Sequence, residues 1–205
     1  MRPLLLVFAR APRFGTVKRR LARDIGPLAA LAFHRTTLDR LLREVRRDPR
    51  WATALSVTPD TAAAGYAPWA RHVPRIAQGR GDLGARMRRG MAVGGPVIVV
   101  GSDIPAIRRN HIAAAFRALG AADFVFGPAE DGGFWLIGAA GRRPLPRGLL
   151  ASVRWSGPHA LDDTLATIPR GRGVAFVAPL ADVDDGAAWQ RWRRAGQAQA
   201  APPSD

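Results

Sequence analysis

Two stretches of the sequence are apolar at nearly every consecutive position: PLLLVFA over Pro3–Ala9 and PVIVVG over Pro96–Gly101. A strand with one wet face alternates apolar and polar side chains, so unbroken runs of this length need cover on both faces. That requirement points to parallel strands at the centre of a sheet with helices on either side. The intervening chain supplies such helices. From Leu28 to Val45, Leu31, Leu38, Leu41, Leu42 and Val45 recur at helical spacing, while Arg35, Arg40, Arg43 and Glu44 occupy the other face. Further strands are expected at Ala52–Val57, Arg75–Gln78, Asp123–Gly127, Phe134–Gly138 and Val174–Pro179. Further helices are expected at Leu83–Ala92, from a cap at Asn110 through Leu119, at Pro158–Ile168 and at Ala187–Arg194, with a short helix between Thr61 and Trp69. Strands alternating with helices predict a single-domain, Rossmann-like three-layer α/β/α fold with a mainly parallel central sheet. The domain is expected to span residues 1–195, and the Ala/Pro/Gln-rich segment 196–205 to be a disordered tail.

Composition narrows the chemistry. With 205 residues, 47% of them hydrophobic, the chain is the size of one domain with a substantial core. It has no cysteine, which excludes disulfides, thiolate zinc sites and a cysteine nucleophile, and fits a reducing cytoplasm. The apolar run near the start is too short for a signal peptide, and no stretch approaches the ~18 apolar residues of a membrane span. The formal charge of +15 raises the question of a polyanionic partner. However, the basic residues are spread along the chain, and Lys18 is the only lysine among 31 of them. The charge therefore reads first as an arginine bias and only second as a nucleic-acid surface.

In such sheets ligands bind beyond the carboxyl ends of the strands, and the unusual polar residues all follow strands. The first is the loop from Ala9 to Arg20. Gly15 allows the backbone to approach a phosphate, successive N–H groups can form an anion nest, and Arg10, Lys18 and Arg20 can add charge-assisted bonds. The loop is not a Walker A sequence, and its plain alternative is a solvated basic turn. Asp103, directly after Val97–Val100, is placed to hold Mg²⁺ or Mn²⁺ beside phosphates, or else to form an Asx turn before Pro105. Glu130-Asp131-Gly132-Gly133 lies between two strands, either as a hairpin turn or as a site loop. Asp182-Val183-Asp184-Asp185 follows the last strand and offers a second metal carboxylate or a helix cap. Trp155 is a candidate for a pocket wall. His34, His72, His111 and His159 have no ligand spacing and read as surface or capping residues. Gly79-Arg80-Gly81-Asp82-Leu83-Gly84 satisfies the dinucleotide pattern G-x-G-x-x-G, but it follows a short polar strand deep in the chain instead of the first strand.

Taken in order, FARAPRFGTVKRRLA, QGRGDLGARM, VIVVGSDIP, FGPAEDGGFWLIG, VRWSGPHALDDT and LADVDD resemble the small bacterial glycosyltransferase-like proteins of the selenodomain-associated transferase family. These belong to the nucleotide-diphospho-sugar transferase superfamily with the GT-A fold. The chain is similar, more distantly, to the phospholactate guanylyltransferases. The resemblance covers roughly Leu4 to Trp192. It implies that Ala9, Arg10, Gly15, Lys18 and Arg20 hold nucleotide phosphates and that Gly79, Gly81 and Asp82 lie against base or ribose. It further implies that Asp103 and Asp184 bind the metal, and that Glu130, Asp131, Gly132, Gly133 and Trp155 face the acceptor or sugar. The sequence departs from the family at Arg19, where a threonine is common, and at Asp185-Gly186-Ala187, where Thr-Pro-Glu is usual. The expected activity is a metal-dependent transferase taking a nucleotide sugar, or alternatively an NTP and a phosphorylated acceptor. Lys18, Asp103 and Asp131 are the expected catalytic residues, with Asp131 nominated as general base.

Overall fold

The computed structural model describes residues 2–65, 67–70 and 72–200, the last five by their backbone only. Seven strands, β1 (Leu4–Arg10), β2 (Ala52–Thr58), β3 (Arg75–Ala77), β4 (Val97–Gly101), β5 (Phe124–Pro128), β6 (Phe134–Ala139) and β7 (Val174–Phe176), form one sheet in the order β3-β2-β1-β4-β6-β5-β7. Only β6 runs antiparallel, pairing with β4 on one side and β5 on the other. The two apolar runs are neighbours at the sheet centre, with Leu5 opposite Ile98 and Val7 opposite Val100.

Covering both faces explains why consecutive residues are buried. Leu5, Val7, Ile98 and Val100 point to one face, where they meet α2 (Pro27–Val45) and α4 (Arg109–Ala118). Leu6, Val97 and Val99 point to the other and meet Met87 and Met91 of α3 (Leu83–Met91), the Leu149–Leu150 turn and, at its margin, Leu161 and Leu165 of α5 (Ala160–Ala166). The period of two along each strand distributes one apolar run between two cores.

A third, smaller core joins α1 (Arg19–Ile25), α2 and α6 (Gly186–Ala200). Leu21, Ala30, Phe33 and Val183 are buried there, with Trp189 packed against them and Trp192 edge-on to Phe33 at 5.2 Å. This core matters for function because it ties the segment after β1 to the segment after β7. The Asp24 carboxylate adds to the tie by accepting the Gly186 N–H at 2.7 Å.

Most elements fall within a residue or two of their expected places, and the differences have local causes. α1 has no counterpart among the expected helices; it lies where Lys18 turns the basic loop into a helix. Asn110 does not cap α4. Arg108 precedes the helix, and its N–H donates to His111 Nδ1, while Asn110 Oδ1 accepts from the adjacent His111 N–H. The segment from Thr61 to Trp69 forms two short 3₁₀ turns, Asp60–Ala62 and Pro68–Ala70, with Tyr66 outside the described residues. α6 continues to Ala200, into the segment expected to be a tail, and residues 201–205 lie outside the described residues. His34 is not at the surface: it is 4% exposed and its Nε2–H donates to the Arg10 carbonyl at 2.9 Å. Burial lowers its pKa and keeps the ring neutral.

Leu136 on β6 is fully buried between its two neighbours. Leu136→Ala is expected to lower the free energy of unfolding by about 2–5 kcal/mol, since a sheet centre cannot collapse to refill the cavity; urea denaturation of wild type and variant measures this.

Candidate active site

The sheet order places the crevice. From β1 the chain moves to β2 on one side, and β4 later inserts on the other, so the carboxyl ends of β1 and β4 diverge into loops on opposite sides. A cavity of about 890 Å³ opens there, lined by residues at or beyond the carboxyl ends of β1, β2, β3, β4, β5 and β7.

At its centre is Lys18. The residue precedes α1 in the left-handed conformation (φ 47°, ψ 50°), three residues after Gly15 at φ 71°. A lysine in this region costs of order 1–2 kcal/mol relative to ordinary backbone conformations. Its side chain is only 6% exposed, and Nζ donates to Asp103 Oδ2 and to Asp184 Oδ1, each at 2.9 Å. Burial opposes the ammonium charge, but the two carboxylates more than offset it and raise the pKa above its ordinary value. Arg20 reaches the other oxygen of Asp184 at 3.3 Å.

Three carboxylates converge on this point. Oxygens of Asp103, Asp182 and Asp184 lie within 4.8 Å of one another, a grouping with the donor set of a hard divalent cation. Their alignment has a backbone cause. Val183 is buried in the third core, so Asp182 and Asp184 on either side of it face outward, and the Val183 N–H donates to the Asp103 carbonyl at 3.2 Å. Burial pushes the Asp182 carboxyl up to about 6, with the Asp103 carboxylate adding to the shift and Lys18 opposing it.

The opposite wall is built from two interlocked loops. Asp131 and Gly133 of the β5–β6 turn line the cavity. Asp131 Oδ1 accepts the Gly133 N–H at 3.0 Å, which shapes the turn. Gly132 lies against Pro158, where a Cβ would come within 2.2 Å of the Pro158 carbonyl oxygen, and Glu130 is exposed outside the cavity lining. Trp155 lines the cavity from the neighbouring loop, with its ring edge-on to Phe134 at 6.2 Å. Arg154 holds this loop to α5 through paired 2.8 Å bonds to the two oxygens of Asp163.

Ala9, Arg10, Gly15, Lys18 and Arg20 all line the cavity, together with Asp103, Asp131, Gly133, Trp155 and Asp184. Gly79, Gly81 and Asp82 do not. Asp82 caps α3 by accepting the Ala85 N–H at 2.8 Å, and Gly79 donates to Asp60 at 3.0 Å. The turn encloses the Arg89 guanidinium, which donates to the carbonyls of Gln78 and Arg80. A carboxylate already at the helix start leaves no place there for a pyrophosphate, which argues against the dinucleotide reading. Asp182, which sequence reasoning raises only within the segment Asp182–Asp185 and passes over for Asp184, also lines the cavity, as do Gln78 and Arg86, which it does not nominate. The outward-facing alternation of Asp182 and Asp184 about Val183 is the available signal for the first.

These features occur on a known family background. The chain belongs to the DUF2064 family. Its family model, described as uncharacterized protein conserved in bacteria, matches residues 41–157 of this member. No curated protein matches the chain in sequence. Among solved structures, this DUF2064 protein is similar to a protein assigned as a nucleotide-diphospho-sugar transferase from Desulfovibrio desulfuricans G20. The TM-score is 0.81 at 23% identity over 96% of this chain and 88% of that one. It is also similar to 4-diphosphocytidyl-2C-methyl-D-erythritol synthase from Anaerococcus prevotii DSM 20548, with a TM-score of 0.60 at 10% identity over 95% and 98%. Rv0371c from Mycobacterium tuberculosis H37Rv, in a complex with manganese, matches with a TM-score of 0.52 at 15% identity over 93% and 97%. At these identities the likeness shows the fold, a GT-A-like α/β domain. No described helix is long and apolar enough to cross a membrane.

The Asp182 shift sets a pH dependence of stability. The carboxyl titrates near 3.8 when unfolded and near 6 when folded, so the native state retains a proton that the unfolded chain has lost. The stability this proton contributes is complete below the unfolded value and is lost as pH rises through about 6. Asp182→Asn removes that loss. In chelator, its Tm relative to wild type is expected to rise between pH 4 and pH 7.5, as followed by calorimetry; a constant difference would contradict the assignment.

Proposed function

We propose that this DUF2064 protein is a metal-dependent transferase that takes a nucleotide-activated donor and transfers the glycosyl group of a nucleoside diphosphate sugar. The observation that carries this reading is the meeting of Lys18 with Asp103 and Asp184 at 2.9 Å in a cavity of about 890 Å³ at the carboxyl edge of the sheet. Asp103, Asp182 and Asp184 supply an all-oxygen donor set for Mg²⁺ or Mn²⁺. When bound, the cation supplies Lewis-acid neutralisation of the donor's diphosphate. The manganese complex of the mycobacterial neighbour supports a divalent ion in this fold.

In this reading the loop from Arg10 to Arg20 cradles the diphosphate, and Lys18 stabilises the charge that develops on it as the bond between the sugar's anomeric carbon and the diphosphate breaks. Asp131 takes the proton of the acceptor hydroxyl as its oxygen bonds to that carbon, and the nucleoside diphosphate leaves. Asp131 Oδ1 is engaged by Gly133, so Oδ2 is the proton acceptor. Phe134 and Trp155 offer an aromatic wall for the C–H face of a sugar ring.

One observation favours a second reading. Arg10, Lys18, Arg19 and Arg20 all line the cavity, a concentration of positive charge suited to a triphosphate. In that case a phosphorylated acceptor attacks the α-phosphate of an NTP, and pyrophosphate is the leaving group.

A thermal-shift screen of nucleotide sugars and NTPs, with and without Mn²⁺ or Mg²⁺, tests the proposal. A true ligand at about 100 times its Kd should add about 2.7 kcal/mol of stability, and should require the metal. Asp103→Ala should abolish the response. Silence toward every nucleotide, or an unchanged response in Asp103→Ala, would falsify the proposal. Release of nucleoside diphosphate or of pyrophosphate then separates the two readings.

A further inference from the structure

The end of the cavity beside β2 and β3 is lined by Ala9, Thr58, Gln78, Leu83 and Arg86, and the proposed transfer step leaves this wall unused. If phosphates lie along the loop at Lys18, this end receives the nucleoside, so a role for the wall rests on the nucleotide reading of the site. Gln78 is 5% exposed, and both N–H groups of its amide are committed. Nε2 donates to the Ser56 carbonyl at 2.8 Å and to the Ala9 carbonyl at 3.5 Å. Both partners are acceptors, so the amide has one permitted orientation, with Oε1 turned toward α3. There Oε1 accepts from Arg86 Nη1 at 3.1 Å.

Arg86 is held a second time, by Nε donating to the Asp82 carbonyl at 3.1 Å. The carbonyls of Gln78 and Arg80, which could otherwise face a ligand, are taken by Arg89. Among the described residues, Arg86 Nη2 has no hydrogen-bond partner. The wall therefore presents a half-buried guanidinium edge, fixed in place and able only to donate.

We infer that Arg86, positioned by Gln78, reads the nucleotide base and selects one with two adjacent hydrogen-bond acceptors, guanine or cytosine, over adenine and uracil. Guanine offers O6 and N7 side by side, the arrangement a guanidinium matches with two bonds. Cytosine offers O2 and N3. Adenine sets an amino group beside both N1 and N7, and uracil sets an N–H between its two carbonyls, so neither can accept a paired contact. Gln78 cannot turn its oxygen to the ligand without abandoning both strand carbonyls. The fixed donor wall thus discriminates by what the wrong base fails to accept.

Calorimetric titration of the full chain with GDP, CDP, UDP and ADP in Mn²⁺ tests this. GDP or CDP should bind at least about tenfold more tightly than both UDP and ADP, and the GDP and CDP arms identify which base is selected. Arg86→Met should bring all four within about threefold of one another while retaining binding driven by the phosphates. Gln78→Leu should move the ratio the same way, because Arg86 loses its anchor. Equal affinity for the four in wild type, a preference for UDP or ADP, or an Arg86→Met variant that weakens all four by one common factor would overturn the assignment. Even if a variant does not fold, equal affinities or a preference for UDP or ADP in the wild-type panel overturn the assignment. Absence of binding by any of the four is a different failure, that of the nucleotide reading itself.

Discussion

A single ammonium group, Lys18 Nζ, is shared by the carboxylates of Asp103 and Asp184, and the arrangement of the site depends on that contact. A lysine 6% exposed is costly unless its charge is matched, and three carboxylates gathered within 4.8 Å repel one another unless a cation lies among them. Each group makes the other tolerable. The left-handed backbone at Lys18 belongs to the same balance, because it aims the side chain inward from a loop otherwise rich in arginine. The centre thus holds a positive group and a cation-type ligand set a few ångströms apart.

The scaffold makes that contact possible in two ways. Pairing β1 with β4 sets the first loop and the Asp103 loop side by side at the carboxyl edge of the sheet. The small core of Leu21, Ala30, Phe33 and Val183 then folds the end of the chain back over α1. Val183 is both a core residue and the spacer between two site carboxylates. Packing therefore sets the direction of Asp182 and Asp184, and a change in that core would be felt at the site before it was felt in the sheet.

Similarity to transferases of different chemistry is what a shared scaffold with variable loops would produce, since such folds host many reactions. The features that line the cavity of this member lie largely in the loops: the concentration of basic residues from Arg10 to Arg20, the aromatic wall of Phe134 and Trp155, and the Gln78–Arg86 pair. The family match at residues 41–157 includes Asp103, the β5–β6 turn and Arg86, but not Lys18 or Asp184. The centre is thus assembled from inside and outside the matched region.

By itself the sequence determined the fold class, because runs such as Leu4–Ala9 and Val97–Val100 cannot be buried except in a covered sheet. It also marked most of the loops that line the cavity, since polar residues placed directly after such strands stand out against an apolar background. Local pattern failed where the deciding partner was remote. α1 takes its place from contacts to α2 and α6 around a core that no window of sequence contains, and His34 is buried at the end of β1. The same holds for the basic loop. Its lysine could be counted from the sequence, but its place between Asp103 and Asp184, 85 and 166 residues away along the chain, was decided by sheet order and by the packing of Val183. Only the tertiary structure could turn a basic segment and two acidic ones into a single centre, because the energy that joins them depends on distance in space and not on separation in sequence.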